Sequence, residues 1–457
     1  MAVSRQKMTA ASRRTLSAVV VLVLLGTWAA APAGAADDIR SKEYWLEDYG
    51  ITEAWKTSKG KGVKVAVIDS GVDGSHPDLK GVVVGGTDVS GVGAADGQQG
   101  IGITPEHGTL VASLLAGRGH VDKGPSVSPS PSAKPDPMDR YGRGPEGIVG
   151  VAPEAEILAV SAFIGQDNPG GISIDEQIPN AVRWAVDHGA QVINMSLGST
   201  SASWPKAWDA AFLYAEQHDV VIITAAGNRG VGMVQVGAPA TIPGVLAVAG
   251  LDVEGRASWD SSSQGITIGV AAPAEKLVGA LPGGLYANWS GTSGAAPLVA
   301  GVAALIRAEY PDMSAAQVIN RIITTATDAG VPGLDPIYGY GVLDAAAAVT
   351  EPVPVVAVNP LGTISDWIRV HRRGAVPTPT AAQPPSKEDK PAEPLAPEPT
   401  VPAAVEPASE HSGLPALIML GFGTLIVFIA GAGGYHVLQA RRQTGETSLD
   451  DADDEAS

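Results

Sequence analysis

Residues 63–69 read VKVAVID, a short apolar run that ends in the carboxylate of Asp69. Buried strands of a parallel sheet have this composition, because both of their faces are covered. Apolar runs of similar length recur at residues 157–160, 192–195, 220–224 and 245–248. Helical patterns lie between or beside them, at residues 109–116, 178–188, 204–217, 295–309 and 314–326. This alternation predicts an α/β domain with a parallel sheet flanked by helices, whose polar site lies at the carboxyl ends of the strands.

The composition argues against several classes of protein. The chain has 457 residues, a net charge of −18 and no cysteine. An acidic chain of this kind is a poor nucleic-acid binder, because phosphate contacts need a basic surface. Without cysteine there is no disulfide framework, no thiol nucleophile and no cysteine-ligated zinc.

The first 36 residues have the layout of a secretory signal peptide. Four basic residues precede an apolar run at 16–28, and the small residues Ala33-Gly34-Ala35 follow it. The run is shorter than the roughly 20 apolar residues that a membrane span needs, so we expect cleavage after Ala35 or Ala36. The alternative is an uncleaved N-terminal anchor.

The C-terminal part predicts a membrane anchor. Residues 413–438 carry no Asp, Glu, Lys or Arg and are long enough for one transmembrane helix. Arg441 and Arg442 follow, which places the acidic tail at 439–457 in the cytoplasm and the rest of the chain outside it. A buried core helix is the alternative. We therefore expect a single-pass protein of the cell membrane.

The segments between these two ends differ in composition. We expect a short N-terminal extension at 37–61 and a folded domain at 62–359. Residues 118–147 are rich in Pro, Ser and Gly without periodicity, and predict a surface insertion in that domain. Residues 360–412 are rich in Pro, Ala and Glu and predict an extended linker between domain and membrane.

Four polar residues stand where a predicted strand ends or a predicted helix begins: Asp69, His107, Asn228 and Ser293. Each has an ordinary structural explanation on its own: a turn aspartate, a structural histidine, a turn asparagine and a helix N-cap serine. Together they supply a nucleophile, a base, a carboxylate that orients the base and an amide donor for an oxyanion. The chain order Asp, His, Ser is one of the known orders of a catalytic triad.

The sequence around these residues resembles the subtilisin-like serine proteases. The matching runs are AVIDSGVDGSHPDL at 66–79, HGTLVA at 107–112, INMSLG at 193–198, TAAGN at 224–228 and SGTSGAAPLVAG at 290–301. They occur in the family's order, and the resemblance covers residues 62–344. It implies the subtilisin fold and peptide-bond hydrolysis without a catalytic metal or another cofactor.

The resemblance also implies a role for each residue. Ser293 would attack the peptide carbonyl, His107 would act as general base, and Asp69 would stabilise the imidazolium. Asn228 and the Ser293 backbone N–H would hold the oxyanion. The substrate would pair as an added strand with Ser196, Leu197 and Gly198, and Gly227 would line the primary specificity pocket.

Three features depart from the family's pattern. Many subtilisins have Met after the nucleophile, where this chain has Gly294, and Gly after the HGTLVA run, where it has Ser113. Neither residue transfers a proton, so we expect them to affect packing or substrate fit. About 26 residues separate the expected cleavage site after Ala35 from Gly62, which leaves no room for the inhibitory propeptide that secreted subtilisins usually carry.

The overall layout resembles that of the mycosins, membrane-anchored subtilases associated with type VII secretion in actinobacteria. The absence of cysteine departs from it, since mycosins often carry disulfides. The resemblance implies peptide or protein substrates and, as partners, the membrane components of type VII secretion. Two alternatives stay open: a structural stabiliser of the secretion complex, and a general wall-associated degradative subtilase.

Calcium is the one metal that the resemblance raises as a candidate. Many subtilisins bind structural calcium, and the carboxylates of Asp73, Asp78 and Asp88 could supply oxygen ligands. The sequence has no contiguous loop of the EF-hand type. We therefore assign no metal site from the sequence.

Overall fold

The computed structural model describes residues 39–121 and 144–372. Its centre is a seven-stranded sheet in which every neighbouring pair of strands is parallel. Across the sheet the strands are β2 (Val83–Asp88), β5 (Glu156–Ser161), β1 (Lys64–Asp69), β6 (Val192–Met195), β7 (Val221–Ala225), β8 (Leu246–Leu251) and β9 (Ile268–Pro273). The predicted α/β fold with a parallel sheet is confirmed.

Helices cover both faces of this sheet, as the sequence predicts. One face carries α3 (His107–Ala116), α6 (Thr292–Glu309), α7 (Ala315–Thr324) and α8 (Ala345–Thr350). The other face carries α4 (Ile174–Asp187), α5 (Lys206–Gln217) and α9 (Ile364–His371).

Strand β1 shows how the sequence divides the two cores. Val65 and Val67 pack into the core that contains α3 and α6. Ala66 and Ile68 pack into the core that contains α4 and α5. Successive side chains of a strand point to opposite faces, so a strand covered on both faces is apolar at every position. This requirement is met from Val65 to Ile68, between the half-buried Lys64 at the start of β1 and Asp69 at its end.

The strand order places the end of β1 at a crevice. From β1 the chain crosses to β2 and β5 on one side, and then to β6, β7, β8 and β9 on the other. Strand β1 therefore lies where the order reverses, and such a switch point opens a crevice at the carboxyl ends of the strands. Asp69 is the last residue of β1 and therefore lies at this crevice.

The N-terminal extension packs as part of the folded domain. Its two short helices are α1 (Trp45–Asp48) and α2 (Ile51–Ala54). Trp45 and Ile51 are fully buried in the core that also contains α3 and α6. The Ala345 N–H of α8 donates to the Tyr49 carbonyl oxygen at 3.0 Å.

Two antiparallel hairpins lie beside the sheet: β3 (Arg118–His120) with β4 (Glu146–Val149), and β10 (Leu277–Leu281) with β11 (Leu285–Trp289). The first hairpin forms the base of the predicted insertion at 118–147, so both ends of that segment are strands. Its position is set by Asp78, which accepts from the Ile148 N–H at 2.9 Å and from His120 Nδ1 at 2.6 Å. Residues 122–143 of the insertion lie outside the described residues.

The folded chain continues past residue 359, into the segment predicted as linker at 360–412. Helix α9 packs on α5, with Ile364 only 2% exposed. The rings of Trp367 and Trp204 lie 4.5 Å apart. These apolar side chains distinguish the sequence of α9 from the Pro-rich sequence that follows it.

We expect Ile364→Ala to lower the free energy of unfolding by about 2–5 kcal/mol, because it removes a buried side chain and leaves a cavity against α5. Urea unfolding of the isolated domain measures this loss. Val370 on the same helix is 61% exposed, so Val370→Ala should change the free energy by less than about 0.5 kcal/mol. Equal effects of the two substitutions would mean that α9 is not an integral part of the domain.

Several predicted segments lie outside the described residues: the signal peptide at 1–36, the transmembrane helix at 413–438, the tail at 439–457 and most of the linker. Within residues 39–121 and 144–372, no helix is long and apolar enough to span a bilayer. The membrane helix and the signal peptide stay predictions.

Candidate active site

Asp69 lies at the end of β1 and is almost completely buried. Its Oδ1 accepts from the Ser70 backbone N–H at 2.7 Å and from Nδ1 of His107 at 2.8 Å. A buried carboxylate is costly unless donors of this kind meet it. The two bonds hold the carboxylate in one orientation, against an imidazole ring.

His107 is the first residue of α3, and its side chain is 24% exposed. A carboxylate can only accept, so Nδ1 carries the proton in this bond and Nε2 is left for a further partner. Burial lowers the pKa of His107, but the attraction and hydrogen bond of Asp69, with the charge of Glu106, raise it above its ordinary value. His107 is therefore a base whose protonated form is stabilised.

The close approach of α3 to β1 depends on Gly108. A Cβ at this position would lie 2.2 Å from the backbone oxygen of Gly71, so any side chain would push the helix away. The Gly108 N–H donates to Ser70 Oγ at 2.9 Å. The glycine after the histidine thus lets His107 reach Asp69.

Ser293 is the second residue of α6, in the turn whose N–H groups have no helical partners. Its hydroxyl donates to the Ser196 backbone oxygen at 3.2 Å. Its carbonyl oxygen accepts from Ser196 Oγ at 2.8 Å. Ser293 is therefore joined to the residue after β6 by one hydrogen bond in each direction.

Pro297 explains the second of these bonds. It lies inside α6, and proline has no N–H with which to reach the carbonyl four residues earlier. That carbonyl belongs to Ser293, and the Ser196 hydroxyl takes the place of the missing donor. Asn194 Nδ2 in turn donates to Ser196 Oγ at 3.0 Å. The helical bond that proline removes is replaced by a contact that fixes the serine.

Asn228 follows β7 and faces the start of α6. Its Oδ1 accepts from the backbone N–H and from the hydroxyl of Thr292, each at 2.8 Å. Because a backbone N–H can only donate, the atom that faces it is the oxygen, and the Nδ2 group points elsewhere. Thr292 Oγ1 also accepts from the Gly227 N–H at 3.1 Å. The amide of Asn228 is thus held through its oxygen, and its N–H donors are left for another acceptor.

All the predicted site residues line one cavity of about 930 Å³. They are Asp69, His107, Ser196, Leu197, Gly198, Gly227, Asn228 and Ser293. Among the residues that the structure describes, no hydrogen bond joins His107 and Ser293, because the Ser293 hydroxyl is turned to Ser196. The predicted site residues stand at or just after the ends of three strands and at the starts of two helices, and they meet in this cavity as a parallel sheet with a switch point requires.

Among the site residues that sequence reasoning missed, two stand close to Ser293 in the sequence. Trp289, at the end of β11, meets His107 edge to face with ring centroids 5.8 Å apart. Thr292 orients the Asn228 amide. Both stand in the NWSGT run at residues 288–292, directly before Ser293, and their closeness to the nucleophile is the signal that could have marked them.

Gly294 and Ser113, the two residues that depart from the subtilisin pattern, are explained by packing. A Cβ at Gly294 would lie 2.2 Å from Cδ1 of buried Leu277, so a methionine there would displace this leucine. Ser113 Oγ donates to the Leu110 carbonyl at 2.8 Å and accepts from the Ala280 N–H at 3.0 Å, which joins α3 to β10. Neither residue contacts a proton-transfer group.

The carboxylates considered for calcium have protein donors. Asp73, Asp78 and Asp88 each accept hydrogen bonds from backbone or hydroxyl groups. In the described part of the chain, no three acidic or histidine side chains are grouped so that they could hold a metal ion. Structural calcium stays a hypothesis from the sequence.

Comparison with known proteins extends the assignment beyond the site. Fervidolysin of Fervidobacterium pennivorans is 34% identical over 342 residues, which are 69% of this chain and 44% of fervidolysin. Subtilisin DY of Bacillus licheniformis is 36% identical over 294 residues, which are 64% of this chain and 92% of that protein. The chain thus spans less than half of fervidolysin and nearly all of the subtilisin.

Solved structures of mycosins are similar as well. MycP1 with its N-terminal propeptide removed is 30% identical with a TM-score of 0.54, over 68% of this chain and 98% of that one. MycP3, a protease from the type VII (ESX-3) secretion system, is 31% identical with a TM-score of 0.53, over 67% of this chain and 88% of that one.

The family model of the subtilases matches residues 60–341. That range contains the whole seven-stranded sheet and every residue of the cavity named above. It is more than half of the 457-residue chain. The chain belongs to the subtilase family of serine endopeptidases.

Proposed function

We propose that this protein is a membrane-anchored serine endopeptidase that cleaves peptide bonds outside the cytoplasm with Asp69, His107 and Ser293. One observation carries the proposal. A 2.8 Å hydrogen bond joins Asp69 to His107, and both residues line the same cavity as Ser293. A serine beside an oriented histidine, at the amino end of a buried helix, is the arrangement that acyl transfer requires.

In the proposed mechanism Ser293 Oγ attacks the carbonyl carbon of the scissile bond. The hydroxyl first turns from the Ser196 carbonyl to His107, whose Nε2 is free to take the proton because Nδ1 is held by Asp69. The imidazolium that forms is stabilised by the buried carboxylate, and it then gives its proton to the leaving amine. After the amine has left, a water molecule gives a proton to His107 and attacks the carbonyl carbon of the acyl-enzyme. His107 then returns the proton to Ser293 Oγ, and the acyl group is released as the carboxylic acid product.

The negative charge that develops on the carbonyl oxygen would be held by two donors. One is Asn228 Nδ2, which is left free because Thr292 occupies Asn228 Oδ1. The other is the backbone N–H of Ser293, in the first turn of α6. Donors fixed before the reaction cost no reorganisation when the charge appears, which makes such a pair effective. The substrate backbone would pair with Ser196, Leu197 and Gly198, which follow β6 along the cavity.

We further propose that the enzyme acts beside the membrane components of a type VII secretion system. The sequence supports this through the predicted signal peptide at 1–36, the linker and the helix at 413–438. Similarity to MycP1 adds support, since that serine protease is described as an essential component of the type VII (ESX-1) secretion system. Its aligned part is 32% identical with a TM-score of 0.52.

One experiment tests the chemistry and the topology together. Intact cells that make the full chain are treated with a fluorophosphonate probe that does not cross the membrane, and are then lysed and fractionated. We expect the labelled protein in the membrane fraction, with the label on the tryptic peptide that contains Ser293. Activated serines react with such probes because the adjacent base raises their nucleophilicity.

Each other outcome removes a defined part of the proposal. Labelling that occurs only after lysis would place the active site in the cytoplasm, and labelled protein in the soluble fraction would remove the anchor. Folded protein that reacts in neither preparation would overturn the proposed protease activity.

A further inference from the structure

Two glycines form a narrow slot in the cavity next to the nucleophile. A Cβ built on Gly198 would lie 4.0 Å from the Cα of Gly227. Since a carbon–carbon bond is about 1.5 Å long, the two α-carbons are at most about 5.5 Å apart. A ring packed between two carbon surfaces needs about 3.5–4.0 Å on each side, or more than about 7 Å in total. The slot is therefore too narrow for an aromatic side chain.

Met233 lies against both glycines. Its Sδ is 3.7 Å from a Cβ built on Gly198 and 3.2 Å from one built on Gly227. The directions in which both glycines would project a side chain thus converge on this sulfur atom. Met233 also lines the cavity that contains Ser293.

The position of Met233 is set by its backbone. Its N–H donates to the Asn228 carbonyl at 3.1 Å, and its carbonyl oxygen accepts from the Ser263 hydroxyl. A methionine side chain adapts by rotation, but rotation does not move Cβ, which itself lies 3.3 Å from a Cβ built on Gly227. The slot therefore stays restricted in every rotamer of the side chain.

We propose that Met233 determines specificity for the substrate residue that carries the scissile carbonyl, the P1 residue, and restricts it to glycine, alanine or serine. The inference rests on the proposed function, which puts the scissile carbonyl between Ser293 and Asn228. The P1 side chain then points into the slot between Gly198 and Gly227. Side chains beyond one or two heavy atoms would overlap with Met233, and aromatic ones would also overlap with the walls.

The test uses two peptidyl diphenyl phosphonates that differ only at P1, one with the alanine analogue and one with the leucine analogue. Both react covalently with an activated serine, so the rate of labelling of the full chain in its membrane reports recognition without turnover. We expect the alanine probe to react about 100-fold faster, since each methylene that a pocket cannot place costs about 10–200-fold. Met233→Ala should reduce this ratio to about 10 or less by speeding the leucine probe, and Met233→Gly should reduce it further.

Two more variants sharpen the test. Gly198→Ala should slow the alanine probe, because the new methyl group enters the slot from the opposite wall. Val234→Ala is the matched control, since Val234 is in the same loop, is 58% exposed and should leave the ratio unchanged.

A failure of the proposed role of Met233 can be distinguished from a failure of the proposed protease function. Equal rates for the two probes on the wild type, or a ratio that Met233→Ala leaves unchanged, would overturn the role of Met233 while leaving the protease intact. Absence of labelling by both probes in all variants would overturn the proposed function, and this inference with it.

Discussion

Ser293→Ala should reduce kcat for peptide hydrolysis by about 10⁶-fold, the size of the loss known for removing the serine of a subtilisin triad. Without Oγ no acyl-enzyme forms, and His107 has no hydroxyl to deprotonate. The Asn228 amide and the cavity remain, so substrate binding should persist and KM should change little. Hydrolysis of a fluorogenic peptide with alanine at P1, measured with the purified full chain, gives both constants.

Ser290→Ala is the matched control for this loss. Ser290 stands three residues earlier in the same run, is exposed, and accepts only from the Lys276 N–H at 3.2 Å among its described contacts. It should keep kcat within about twofold of the wild type, since surface substitutions away from special contacts have small effects. A Ser293→Ala protein that retains more than a hundredth of the activity would mean that another group is the nucleophile.

The same Ser293→Ala variant separates catalysis from a structural role in secretion. Its hydroxyl contributes one hydrogen bond to the Ser196 carbonyl, whereas the bond that the Ser293 carbonyl accepts from Ser196 Oγ does not depend on the side chain. The fold should therefore remain. Secretion that continues at the wild-type level with this variant would favour the stabiliser over the protease as the function in the cell.

The positions of Asp69 and Asn228 could be predicted because both stand at or just after the end of an apolar run. An apolar run has to end where the strand ends, and in a parallel sheet all carboxyl ends meet at one edge. The residues that follow such runs are therefore brought together whatever the details of the loops. His107 and Ser293 could be placed from the helices instead, since α3 begins at His107 and the long apolar helix α6 begins one residue before Ser293.

Met233 and helix α9 could not be predicted for the opposite reason. Met233 acts through the path of an irregular loop, which depends on the hydrogen bonds of its backbone to Asn228 and Ser263. Such bonds leave no pattern in the sequence. Helix α9 has only eight residues, and its two anchoring apolar side chains are too few to stand out beside the Pro-rich segment that follows.

Asp69→Asn should lower kcat by about 10⁴-fold and move the acid limb of the kcat/KM profile to lower pH. An asparagine can keep its oxygen where Asp69 Oδ1 accepts from Ser70 and His107, so the ring should stay in place. The charge that stabilises the imidazolium is lost, and this lowers kcat. Asp69 opposes the effect of burial and raises the pKa of His107, so without its charge burial prevails and the pKa falls.

The direction of the pH shift distinguishes this explanation from a general loss of structure. Catalysis needs neutral His107, so a lower pKa extends activity to lower pH, whereas a misfolded site would lose activity at every pH alike. Glu106→Gln is the matched control, because Glu106 also raises the pKa of His107 but is the smallest contributor. Glu106→Gln should also move the acid limb of the kcat/KM profile to lower pH, but by less than Asp69→Asn does, and kcat should stay nearly unchanged. An acid limb that stays in place in Asp69→Asn, while kcat falls, would mean that Asp69 acts on the position of the ring and not on its charge.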